Sequence, residues 1–330
     1  MSQNSDAQTS QASQTSQKRF VFVVNPRSAA GATLRRFEHV RHRFQARLAQ
    51  QGAIVDVKLT ERPRHATELA RQAVKEGADV VVAVGGDGTN NEVINGFFDD
   101  DGARIEAKTA FGVVTSGTGG DFRRAFGWST EPLDDLERLA RMTPRRIDLG
   151  RMRCVDDKGQ PVLRHFVNIS SFGMSGVVVD VVNKGGKRLG AKLSFMAGSV
   201  KTMASYQAQS VEVAIDDGPP STELMSLFAV CNGQYFGGGM WVAPDSLPDD
   251  GVFDTVLIRG GGVGFWLRHG LKIYTGRHKH MPEVTIARCK KVHAAPATPG
   301  DKVYIDLDGE QPGLLPATWE ILPAAIDLLV

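Results

Sequence analysis

A short β-branched run, Val80 to Val84, ends on Gly85-Gly86-Asp87-Gly88-Thr89-Asn90-Asn91-Glu92 and passes at once into the helical Val93-Ile94-Asn95-Gly96. Strand, tight turn and helix in that order make a βα unit, and such units collect ligands at the carboxyl ends of their strands. Glycines without a Cβ let backbone N–H groups approach phosphate oxygens, and the start of the helix adds a dipole that favours an anion. Asp87 is not explained by phosphate contact, because a bare carboxylate repels it. Holding a metal ion or water, or orienting a neighbour, suits it better. The plain alternative is a tight turn capped by Thr89.

The alternation repeats on both sides of this turn. Phe20 to Val24 is an apolar run broken by Asn25-Pro26, and Leu34, Phe37, Val40, Phe44 and Leu48 recur at helical steps with arginines between them. Val55, Val57 and Leu59 alternate as a strand, Ala66 to Glu76 is a helix closed by Gly77, and Phe111 to Val114 is a further strand. That last strand leads into Thr115-Ser116-Gly117-Thr118-Gly119-Gly120-Asp121-Phe122, so neighbouring strand ends carry two glycine-rich loops that can share one nucleotide. Successive βα units predict a parallel sheet covered on both faces. After Pro144 the texture changes to β-like segments, among them Ile147 to Cys154, Leu224 to Val230, Phe253 to Ile258 and Val303 to Leu307, with Lys192 to Tyr206 the helical exception. The resulting expectation is a polar tail over 1–17, an α/β nucleotide-binding domain over 18–145 and a mostly β substrate domain over 146–330. The last segment is a candidate to pack back on the first domain.

Bulk properties exclude more than they assert. The 39 Lys and Arg against 37 Asp and Glu leave a net charge of +2, no global reason to expect nucleic acid. Cys154, Cys231 and Cys289 lie far apart without a CxxC pair, which suits a reducing cytoplasm. The polar start reads as a disordered tail and not a signal peptide, and no apolar stretch approaches the roughly 18 residues of a membrane span. There is no GxxxxGK[ST] and no GxSxG, so a hydrolase lacks its nucleophile. Oligomeric state stays open, a homodimer included.

The ordered set Asn25-Pro26-Arg27-Ser28, Gly85 to Glu92, Gly117 to Phe122, Asn232-Gly233 with Gly237-Gly238-Gly239, Ala243-Pro244 through Gly251, and Asp308-Gly309-Glu310 resembles the diacylglycerol kinase catalytic-domain family, which includes bacterial lipid kinases, sphingosine kinases and ceramide kinases. The resemblance implies an α/β domain of NAD kinase and diacylglycerol kinase type joined to a β-sandwich, with the active site between them. It implies ATP as phosphate donor and Mg2+ as cofactor, with the nucleotide held by Asn25, Arg27, Thr60, Gly85, Gly86, Asp87, Gly88, Thr89, Asn90, Asn91, Gly117, Thr118 and Asp121. Asp308 and Glu310, helped by Asp87, become candidates to activate the acceptor hydroxyl, with Asp308 preferred as base. A structural Mg2+ is implied at Asp250 and the carbonyls of Leu247 and Val252, since hard oxygens suit that ion. This chain departs from its relatives at Thr115, where they commonly carry Pro, and at Gly120, where they carry Asn. Arg27 is offered to the phosphates in place of a lysine.

The expected acceptor is a lipid alcohol, diacylglycerol before ceramide or a sphingoid base; an NAD kinase-like enzyme and a silent binding module are the alternatives. A lipid acceptor is met at the membrane surface. Lys184-Gly185-Gly186-Lys187-Arg188, and Phe265-Trp266 beside Arg268 and His269, are the stretches that could touch it.

Overall fold

The computed structural model describes residues 17–116, 120–177 and 206–330. Gly117 and Thr118, the basic run from Lys184, the apolar helix expected after Lys192 and nearly all of the expected tail lie outside them.

Strands β1 (Arg19–Val24), β2 (Ile54–Leu59), β3 (Val80–Gly85) and β4 (Ala110–Thr115) pair in parallel in the order β2-β1-β3-β4. Helices α1 (Ala32–Ala49), α2 (His65–Lys75) and α3 (Asp87–Asn95) connect them, and α4 (Asp121–Ala125) and α5 (Pro132–Arg141) follow. Alternate residues explain the layering. Val21, Val23, Val81 and Ala83 face α2 and α3, whereas Phe20, Phe22, Val80 and Val82 face α1 and α5. Strands buried on both faces read as unbroken apolar runs, which is how β1, β3 and β4 stand in the sequence.

The remaining chain is largely antiparallel. A five-stranded sheet runs β14 (Val284–Cys289), β13 (Phe253–Ile258), β10 (Leu227–Cys231), β7 (Ile169–Gly173), β16 (Ile305–Leu307). It packs through Phe172, Phe228, Phe253 and Ile305 on β5 (Pro144–Val155), β8 (Gln209–Ile215), β15 (Lys291–Pro296) and β17 (Leu314–Leu329), with Trp319 fully buried between the sheets. The Trp319 Nε1–H donates to Ser170 Oγ at 2.9 Å, so the one polar atom of the largest core side chain is satisfied. Strands β6 (Pro161–Phe166) and β9 (Ser221–Met225) complete that second sheet, and β11 (Tyr235–Phe236) and β12 (Met240–Trp241) pair apart from both.

Strand β17 joins the two halves. It pairs antiparallel with β5 and β15, and Leu328 pairs in parallel with Phe111 of β4. One ten-stranded sheet therefore runs from the parallel half into the sandwich. Mixed α/β first half and antiparallel sandwich are the expected architecture. Two details differ from the sequence reading. Leu224 to Val230 is two strands parted at Ser226, a fully buried residue whose N–H goes to Ile258 O and whose hydroxyl goes to Gly260 O. Helix α6 (Gly262–Tyr274) stands where strands were expected to dominate, and buries Trp266 and Ile273 against the outer face of the five-stranded sheet.

Candidate active site

The carboxyl ends of the parallel strands put Asn25, Thr60, Gly85 and Ser116 along one edge. Asn25 Nδ2 donates to Thr89 Oγ1 at 3.2 Å, and its Oδ1 accepts the N–H of the exposed Arg27 at 3.0 Å. Thr60 is buried, its N–H bonded to Val24 O. A Cβ on Gly85 would lie 2.3 Å from Thr89 Oγ1, so the first glycine of the turn is dictated by its own helix as well as by any ligand. Gly86, not Thr89, stands at the N-cap of α3, and Thr89 Oγ1 instead accepts Asn25 Nδ2. Asn90 Oδ1 and Ser116 Oγ are buried polar atoms with no partner within the described protein, the condition a nucleotide would relieve.

Asp87 does not point out to solvent. Its two oxygens accept the N–H groups of Asp121 and Phe122 at 3.0 and 3.1 Å, fixing the start of α4 immediately after residues 117–119. Asp121 in turn accepts Gly238 N–H at 2.7 Å and pairs with Arg124 at 2.6 Å. Burial, then the Asp87 charge, raise its pKa. The glycine cluster 237–239 of the sandwich half is thereby tied to the glycine turn of the parallel half. Gly237, Gly238 and Gly239 all have positive φ, at 60°, 85° and 110°.

Asp308-Gly309 forms a two-residue hairpin turn between Leu307 and Glu310, with φ of 48° and 87° at the two centres. Positive φ at both is the type I′ geometry that an Asp-Gly pair favours. The Asp308 carboxylate turns inward and is saturated. It accepts Asn91 Nδ2 at 2.9 Å, Val167 N–H at 3.0 Å, Asn168 N–H at 3.2 Å and Ile169 N–H at 2.9 Å. Burial raises its pKa to about 6 against those donors. Glu310 is different. Its Oε1 lies 3.7 Å from where a Cβ on Gly88 would stand, and its side chain accepts no hydrogen bond from any described residue. Burial first, then Glu92, push its pKa to about 7, with Arg164 and Arg64 pulling the other way.

Thus Asn91 and Gly88 meet the Asp308–Glu310 turn, Asn91 through its bond to Asp308 and Gly88 beside Glu310, with the Asp87 charge near enough to add to the rise in the Asp308 pKa. Sequence reasoning missed three residues that organise it. Asn95 binds the Asn91 side chain and His165 O, orienting the amide that reaches Asp308. Asp306, buried one strand turn earlier, accepts Gly309 N–H at 2.9 Å, and burial raises its pKa to about 7. Asp148 accepts Gly251 N–H and Ala324 N–H, each at 2.7 Å, joining the 247–252 loop to β17. An aspartate inside the apolar Ile147-Asp148-Leu149 was the visible signal. In that loop the Asp250 carboxylate pairs with Arg288 and accepts Val252 N–H at 3.3 Å. Its oxygens are of the kind Mg2+ takes, with Arg288 now holding the carboxylate. Among the described residues no three His, Cys, Asp or Glu gather as metal ligands, and no helix is long and apolar enough to cross a membrane.

Comparison with known proteins covers nearly the whole chain. The diacylglycerol kinase catalytic domain matches residues 19–152, and the YegS C-terminal NAD kinase beta sandwich-like domain matches 168–330. A diacylglycerol kinase of Bacillus subtilis is 28% identical over 91% of this chain and 92% of its own. A probable lipid kinase YegS-like of Chromohalobacter salexigens is 31% identical over 64% of each. A putative diacylglycerol kinase structure from Bacillus anthracis superposes with a TM-score of 0.72 at 20% identity, over 95% of this chain and 97% of that one, which shows the shared fold.

Proposed function

The chain belongs to the diacylglycerol kinase catalytic-domain family and is a lipid kinase; on that footing we propose that it transfers the γ-phosphoryl group of ATP, with Mg2+, to the hydroxyl of a lipid alcohol, diacylglycerol before ceramide or a sphingoid base. In this reading the backbone N–H groups of Gly85 to Asn91 seat the triphosphate, with Thr60, Arg27 and Asp121 beside it, joined by Gly117 and Thr118. Mg2+, when bound, would neutralise charge on the phosphates, and Leu247, Asp250 and Val252 are the residues that would hold a structural ion through oxygens.

The observation that carries the mechanism is the Glu310 carboxyl, unbonded and facing Gly88. As the bond from Pγ to the bridging oxygen breaks and ADP leaves, the acceptor oxygen bonds to Pγ and its proton passes to Glu310. A loose transition state needs that proton removed late, so a carboxylate near pKa 7 is an adequate base. Asp308 was the residue preferred for this from sequence. With four donors on two oxygens it has no lone pair to offer, and we assign it instead to positioning: it pins the turn that aims Glu310 and links it to α3 through Asn91.

The test is incubation with Mg2+, labelled ATP and a panel of lipid alcohols, with NAD as a parallel acceptor. Labelled phospholipid is expected. Label on NAD alone, or on nothing, overturns the reading.

A further inference from the structure

Helix α6 has one covered face and one bare one. Trp266 and Ile273 are buried against Ile258, Val256 and Ala229 of the five-stranded sheet, so Phe265-Trp266 is not the exposed aromatic pair that the sequence offered to a membrane. Across the helix from Trp266 and Ile273 is Leu271, 80% exposed, and on the flank is Tyr274, 51% exposed, among the largest bare apolar surfaces of the described protein. Around them stand Arg268, Lys272 and, just beyond the helix end, Arg277. The helix contains no acidic residue, and none of these three cations makes an ion pair among the described residues.

The face of the sheet under α6 is also the face of the catalytic turn. On β7 and β16, Phe172, Ile305 and Leu307 point into the sandwich core, so their alternates Ser171 and Asp306 point to the α6 side, as Ile169 does. Ser171 Oγ bonds to Asp306 on that side, two residues before Asp308. A large aliphatic and a tyrosine beside cations that pair with no described acidic residue are complementary to one occupant, a bilayer surface with anionic headgroups.

We propose that the Leu271–Tyr274 face of α6, with Arg268, Lys272 and Arg277, docks this kinase on anionic membranes. The proposal rests on the lipid-kinase reading for its purpose, and on α6 alone for its geometry. Leu271 and Tyr274 enter the headgroup boundary while the cations stay among the phosphates. Each cation is worth about fivefold in partition.

Vesicle flotation tests it, with phosphatidylcholine alone and with one quarter phosphatidylglycerol. The parent should float with the anionic vesicles in a salt-sensitive way, and Arg268→Glu/Lys272→Glu and, separately, Leu271→Asp should each lower the partition by about tenfold or more. Both variants should keep the parent's melting temperature and its rate on a dispersed short-chain diacylglycerol. Equal flotation of parent and folded variants overturns the proposal. So does a parent dimer that the Leu271→Asp variant converts to monomer without change in vesicle binding, since a second copy then covers the face. Flotation as described with no phosphorylation of any lipid would leave the docking face standing and remove the proposed reaction.

Discussion

At the scale of single residues the site depends on what each carboxylate already touches. Glu310, unbonded and at about pKa 7, must be deprotonated to act as base, so kcat/KM for lipid should climb with pH up to about 7 and then level. Glu310→Gln should lose roughly 10²–10⁴-fold in rate and abolish that climb. Asp308→Asn predicts a different phenotype: an amide turns N–H groups toward backbone N–H groups, and a buried donor left without an acceptor costs about 1–3 kcal/mol. Loss of stability in denaturant together with loss of rate would mark it as positioning; loss of rate at unchanged stability would return the base to Asp308. The raised carboxyls set a sign for pH as well. Asp306 at about 7 binds its proton more tightly folded than unfolded, so its contribution is whole below the unfolded value near 4. It fades as pH rises to about 7. Chemical denaturation should therefore show the parent losing more stability between pH 5 and 7.5 than Asp306→Asn does.

Among the elements, those that were legible in the sequence were the ones whose burial imposes a simple pattern. Unbroken β-branched runs gave β1, β3 and β4 to within a residue, and the Phe37, Val40, Phe44, Leu48 spacing gave α1. Helix α6 was hidden because the apolar Leu271 and Tyr274 are exposed among its cations, which blurs a helical period. The division of Leu224 to Val230 was hidden because Ser226 is buried by tertiary contacts that no local pattern carries. In the site, the glycine turn and the Asp-Gly-Glu turn could be read, being local. That Asp308 is consumed by Val167, Asn168 and Ile169, well over a hundred residues away, could not be. The β3–α3 junction offers its own test. Gly85→Ala drives a methyl into Thr89 and should shift the start of α3, costing about 1–3 kcal/mol and weakening ATP binding by tenfold or more in calorimetric titration. Stability lost without any loss of ATP affinity would separate the turn from the nucleotide.

For the whole molecule, β17 is the decisive element. Trp319→Ala, at the centre of the sandwich, should cost about 3–5 kcal/mol and still leave one melting transition, because both halves share a sheet. Removing residues 326–330 should lower ATP affinity although none of them lies near the glycine turn, since Leu328 braces β4. Two transitions in either variant would mean that the halves fold apart. Lobes connected by slack tethers can swing shut around a substrate, but here β17, laddered to β5 and β15, also meets β4 where Leu328 pairs with Phe111, and that join must break first. The distance separating Gly88 from Glu310 is then set during folding and not by capture of ATP. Under the proposed function, dryness at the reacting phosphorus would then come from the lipid acceptor itself, and idle hydrolysis of ATP should fall as lipid fills the gap.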